Sequence, residues 1–75
     1  NQIHPREVFA DPITDRAAAV IIAHNHPFAH TEPSPEDRHV TRSIRDAGEL
    51  LGIPLLDHVV FDTHTYYSFL ERGEI

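Results

Sequence analysis

The chain contains no cysteine, tryptophan or methionine, and it contains no lysine either. Without cysteine there is no disulfide staple, and zinc sites built on thiolates are excluded, those of the zinc deaminases among them. Without lysine, all six cationic side chains are arginine, and they are scattered against twelve Asp+Glu. The formal net charge is −6 and the pI about 5.5. A face that grips nucleic acid is basic, so this balance argues against direct nucleic-acid binding by the segment alone. Long apolar runs are missing too. The strongest, residues 17–23, is far too short to cross a bilayer, and no signal peptide is visible.

What remains is 75 residues, enough for one small domain. A domain of this size buries roughly 60% of the surface its unfolded chain exposes, and such cores usually lean on a metal, a staple or a partner. With disulfides excluded, the chain needs a metal, a partner such as a second copy of itself, or further chain. It opens on Asn1-Gln2 without an initiating methionine. Residues 1–75 are therefore expected to be a single partial domain of a larger soluble, cytoplasmic protein.

Residues 5–16 read as a helix that Pro5 can begin, since proline at the first helical position forfeits no intrahelical bond. Val8 and Phe9 should face inward. Pro12 should break or kink the helix, with Asp11 capping a second short piece. Residues 18–24 are apolar without alternation and β-branched at their centre, which predicts a strand buried on both faces. Residues 25–33 carry two prolines and read as a loop. Residues 34–51 give the clearest helix signal, with Ser34 as N-cap, Pro35 at the first position, and Glu36 and Asp37 at the positive end of the dipole. Val40, Ile44, Ala47 and Leu51 mark the expected buried stripe. Gly52 should end the helix and Pro54 prevents its continuation. Residues 55–61 and 66–70 read as strands joined by a turn at 62–65. The order α–β–α–β–β predicts an α/β or mixed α+β sheet flanked by helices, completed by strands outside this segment.

The chemistry concentrates between the first strand and the second helix. Residues two apart on a strand share a face, so His24 and His26 can reach one ion while Asn25 points away. Asp37, one turn into the helix, is a candidate third ligand. Two neutral imidazoles and a carboxylate suit Zn²⁺ and leave a position open for water. They also match the facial triad of iron oxygenases. Ser34 would lie near the open position and could bond a developing oxyanion. Alone, Ser34-x-x-Asp37 is close to a capping box, a structural device, and a His-x-His at a strand end is weak by itself. Together, at His-x-His-x7-Ser-x2-Asp spacing, they point to a site. His58 or Asp57 could orient a ligating histidine, and as strand neighbours only one of the two can face the site. His4 fits a helix-entry role, and His39 and His64 read as surface residues.

His24-x-His26-Pro27 with Ser34 and Asp37 at this spacing resembles the JAMM (MPN+) metalloprotease signature. The chain resembles the bacterial RadC-like family more particularly, in His4-Pro5-Arg6-Glu7-Val8-Phe9, in His24-Asn25-His26-Pro27, in residues 47–58 and in Tyr67-Ser68-Phe69. The resemblance implies a JAMM/cytidine-deaminase-like three-layer fold and a zinc-dependent hydrolase of peptide or isopeptide amides. It implies His24, His26 and Asp37 as zinc ligands and Ser34 as the partner of the activated water or oxyanion. It places the proton-shuttling glutamate on a strand N-terminal to this segment, so Glu7 is not that base. The family's label also implies a competing role as a DNA-repair-associated accessory domain with a structural or vestigial metal site. The sequence departs from the family at Phe28-Ala29-His30, where Ser-Gly-Asp is usual, and His30 reads as a solvated loop residue.

Overall fold

A computed structural model describes residues 4–26 and 31–75. The elements run α1 (Pro5–Thr14), β1 (Val20–Asn25), α2 (Pro35–Leu51), β2 (Leu55–Phe61) and β3 (Tyr66–Ser68). The order expected from the sequence holds, and the fold is a mixed α+β arrangement. The departure at Phe28-Ala29-His30 lies outside the described residues.

The three strands form one sheet in the order β1-β2-β3. β1 and β2 are parallel and joined through α2, whereas β3 returns antiparallel to β2. A parallel pair needs a long crossover, and α2 supplies it. Phe9 of α1, Ile44 of α2, Ile53 and Leu55 form the buried centre, with Val20 and Ile22 packed against it. Both helices therefore cover the sheet face that carries Val20, Ile22 and Leu55.

That one-sided cover corrects the expectation for β1. Its burial alternates, with Val20, Ile22 and His24 half-buried and Ile21, Ala23 and Asn25 exposed. Ile21 is 63% exposed, so among the described residues the second sheet face is open. Among the described residues the apolar run therefore covers one face through Val20 and Ile22 and leaves Ile21 and Ala23 on the other.

Three other expectations shift. α1 runs as one helix through Pro12 to Thr14, because only two helical residues follow the proline and few bonds are left to lose. His4 is its N-cap, with a side-chain nitrogen accepting from the Arg6 amide at 3.4 Å, so no second cap forms at Asp11. The buried line on α2 is Asp37, Thr41, Ile44 and Gly48, with Leu51 47% exposed. Val40, Ile44 and Ala47 of the expected stripe pack on the core, Leu51 does not, and two polar residues and a glycine are buried beside them. β3 stops at Ser68, where the chain turns: Asp57 Oδ1 accepts from the Leu70 amide at 2.9 Å and Asp57 Oδ2 from the Ser68 hydroxyl at 2.6 Å. Among the described residues no helix is long and apolar enough to cross a membrane.

Candidate metal centre

The end of β1 and the start of α2 meet at one corner of the sheet. Parallel strands with helical crossovers gather ligands at their C-terminal ends. His24 lies in β1, and the ladder continues one residue past it, since the His26 amide donates to the Phe61 carbonyl at 2.9 Å. That bond keeps residue 26 extended, so both imidazoles share the helix-covered face. Their rings meet edge to face with centroids 4.6 Å apart.

Asp37 arrives from α2 and is fixed by its own helix terminus. Its carboxylate Oδ2 accepts from the Ser34 amide at 2.8 Å, and its amide donates to Ser34 Oγ at 3.1 Å. The capping box is therefore formed in both directions. The same carboxylate faces the histidines, with Oδ2 3.2 Å from His26 Nε2 and Oδ1 3.7 Å from His24 Nδ1. One ligand atom from each of His24, His26 and Asp37 lies within 4.8 Å of the others. The structural and the functional reading of Ser34-x-x-Asp37 are compatible, because a carboxylate accepts through two oxygens. Oδ2 serves the cap, and Oδ1 is the oxygen the cap does not use.

The donors fit a metal. His24 Nδ1 is buried without a hydrogen-bond partner while aimed at Asp37 Oδ1. Such an orphan nitrogen calls for an explanation, and an ion between it and the carboxylate provides one. Tetrahedral zinc holds its ligand atoms about 3.3 Å apart, so the cluster needs only a modest contraction. Burial pushes the Asp37 carboxyl upward, yet the Ser34 amide and hydroxyl, with the two imidazoles, outweigh it and hold the group below the ordinary aspartate value. The carboxylate is ionised, as a ligand must be.

Behind the cluster stands His58, fully buried on β2. Its ring is stacked between His24, at 5.7 Å and 14°, and Phe69, at 4.8 Å and 6°. Its Nδ1 lies 2.5 Å from Thr41 Oγ1, whose hydroxyl donates to the Asp37 carbonyl at 2.8 Å. With that proton spent, Thr41 accepts from Nδ1–H, which leaves Nε2 as the bare nitrogen. Burial lowers the His58 pKa, the neighbouring His24 adds to it, and Asp37 and Asp57 pull the other way. His58 thus braces both sides of the centre, His24 through its ring and the first turn of α2 through Thr41. Asp57 faces the opposite side of the strand, where it holds the C-terminal turn.

The sequence offers His58 as one of two options and carries no mark of Thr41, which looks like any polar helix residue. Its offset of four from Asp37 is the signal that could have found it. Thr41→Val should leave a buried imidazole N–H unpaired and cost about 1–3 kcal/mol. Urea unfolding of the parent and variant would measure it, and a change below about 0.5 kcal/mol would contradict the network.

Comparisons with known proteins identify the family of the chain. The family profile described as "RadC-like JAB domain" matches residues 1–74. A "UPF0758 protein" of Methanospirillum hungatei is 63% identical over 71 residues, covering 95% of this chain and 32% of its own length. The "UPF0758 protein" of Trichlorobacter lovleyi is 51% identical over 71 residues, covering 95% of this chain and 31% of its own length. One from Thermotoga maritima is 48% identical over 73 residues, covering 97% of this chain and 33% of its own length. The chain thus spans about a third of the length of the curated relatives it matches.

Proposed function

Because the chain belongs to the RadC-like JAB domain family, we propose that it supplies the metal-holding part of a zinc-dependent hydrolase cleaving peptide or isopeptide amides in the cytoplasm. The observation that carries this reading is the convergence of His24, His26 and Asp37 within 4.8 Å, with His24 Nδ1 lacking any other partner. In the proposal these three side chains hold the ion. Bound there, zinc would supply a Lewis acid for the scissile carbonyl and lower the pKa of water toward about 7.

The chain's own residues do the rest of the local work. Asp37 balances the charge of the ion and keeps its position through the capping box. A hydroxyl that accepts one bond retains a proton to donate, so Ser34 is proposed as the donor to the oxygen that gains charge during amide attack. His58 and Thr41 keep the ligands oriented, a duty that commonly changes metal affinity 10–100-fold when lost. The proton-shuttling glutamate is assigned to the length of the relatives outside this chain. The complete domain is proposed as a three-layer JAMM-type arrangement, of which residues 1–75 are one part.

Elemental analysis of the purified full-length protein tests the assignment. About one zinc per domain is expected, absent in His24→Ala and Asp37→Ala, and peptide or isopeptide cleavage should vanish with a chelator and return with zinc. Full metal content in both variants would overturn the site. Iron in place of zinc would favour the oxygenase reading of the same three ligands.

A further inference from the structure

We propose that a hollow beside the C-terminal turn, separate from the metal cluster, binds a single oxyanion group, carboxylate or phosphate. Arg38, Arg42 and Arg45 recur at the i, i+4, i+7 spacing of one helix face, and with Thr41, Phe69 and Glu74 they line a cavity of about 110 Å³. Half of the six cations in a chain of net charge −6 therefore converge on one place.

The partners of these arginines show how much positive charge is left over. Arg38 is committed: its Nε donates to Glu74 Oε1 at 3.0 Å and its Nη1 to the Pro33 carbonyl at 3.1 Å. Glu74 is committed in turn, because its other oxygen accepts from the Tyr67 hydroxyl. Arg45 has only a 3.4 Å approach to Asp46 Oδ1, a surface pair worth little. The Arg42 side chain makes no hydrogen bond or ion pair among the described residues. Two guanidiniums thus keep most of their donors at a hollow that Phe69 also lines.

The ligand class follows from the donor geometry and the space. A guanidinium presents a planar fork that matches the two oxygens of a carboxylate or phosphate. The volume is well below the roughly 300–1,000 Å³ of sites that enclose a whole drug-sized ligand, so it suits one group projecting from a larger molecule. Arg42 and Arg45 follow Asp37 by five and eight residues, which at 1.5 Å per residue sets the group about 7–12 Å along α2 from the metal ligand.

Titration of the ¹⁵N-labelled full-length protein with inorganic phosphate and with succinate, against sodium chloride at matched ionic strength, tests the site. Saturable shifts are expected in the amides of residues 38–45 and 69–74, with dissociation constants on the order of millimolar. Arg42→Gln and Arg45→Gln should each weaken binding about tenfold. Arg42 is exposed, so its variant retains the fold and the remaining spectrum reports that directly. Saturation by phosphate alone identifies a phosphate-bearing ligand, and by succinate alone a carboxylate. No saturation with either anion, an equal response to chloride, or unchanged affinity in Arg42→Gln would overturn the proposal.

Discussion

Asp37→Ala should abolish metal binding and weaken α2 together, whereas Asp37→Asn should abolish metal binding and leave the helix nearly intact. The difference arises because one side chain holds two positions. Its Oδ2 closes the capping box on the Ser34 amide, and its Oδ1 faces the unpartnered His24 Nδ1. Asparagine keeps a carbonyl oxygen for the amide but loses the charge and the second acceptor. Alanine loses everything and strands the Ser34 N–H. Loss of a cap costs about 0.5–2 kcal/mol, and a poorly satisfied donor adds to it, so the alanine variant should unfold about 1–3 kcal/mol more easily. In both variants the zinc dissociation constant should rise by more than about 100-fold, beyond the range for residues that merely orient a ligand. Chelator competition and urea unfolding on the same preparations separate the two effects. Parental zinc affinity in the asparagine variant would reduce Asp37 to a capping residue.

The separation matters because the sequence offers the two readings of Ser34 and Asp37 as rivals. Spacing alone cannot tell a capping box from a ligand, since both want a carboxylate one turn into the helix. The two roles are compatible in the fold because the two oxygens have different neighbours, the Ser34 amide and His26 at Oδ2 and His24 at Oδ1. His24 and His26 were legible for a simpler reason. The two-residue period of a strand forces them to one face, and the register onto Phe61 extends that face one residue beyond β1.

His58 was only half legible, and the register of β2 explains why. Val20 pairs with Leu55 but Ile21 pairs with Asp57, so Leu56 is an extra residue in the strand. A bulge of this kind re-aims every side chain beyond it. It sends His58 and Val60 to the covered face along with Leu55, and turns Asp57 outward. Two consecutive leucines carry no mark of a bulge, so a regular two-residue period would have put Asp57, with Leu55, on the inner face and His58 outside. Element order, by contrast, was readable from punctuation: Pro5, Pro35 and Gly52 sit where helix ends require them. The stripe of α2 holds at Val40, Ile44 and Ala47 and fails at Leu51, and apolarity gives no sign of the non-apolar residues buried beside it. Thr41 is buried by its bonds to Asp37 and His58, and Gly48 by the closeness of another backbone.

That closeness makes Gly48→Ala a damaging single-methyl change outside the His24, His26 and Asp37 cluster. Helix α2 ends in a reversal in which the Gly52 amide donates to the Glu49 carbonyl at 3.3 Å and the Ile53 amide to the Gly48 carbonyl at 2.8 Å. Gly52 takes a φ of 75° to allow it. The reversal folds the Ile53 carbonyl back against the helix, where a Cβ on Gly48 would stand 2.5 Å from that oxygen and 3.2 Å from Phe9 Cζ. The Phe9 contact is with the end of a side chain, but the Ile53 oxygen belongs to backbone that is itself hydrogen-bonded to Gly48. Intrinsic helix propensity favours alanine by about 1 kcal/mol, and overpacking against fixed atoms costs about 1–3 kcal/mol or more. Because the nearest obstacle is backbone, the steric cost should win, with a net loss of about 1–2 kcal/mol. In a domain of this size that lowers the melting temperature by about 4–16 °C. Gly52→Ala is the comparison: nothing lies within 4 Å of its Cβ position, so it should lose only the left-handed backbone penalty of about 1–2 kcal/mol. Phe9→Leu separates the mechanisms further. Shortening the ring relieves the second contact and not the first, so it should rescue little of the Gly48→Ala loss, and a full rescue would show the ring rather than the Ile53 carbonyl to be the obstacle.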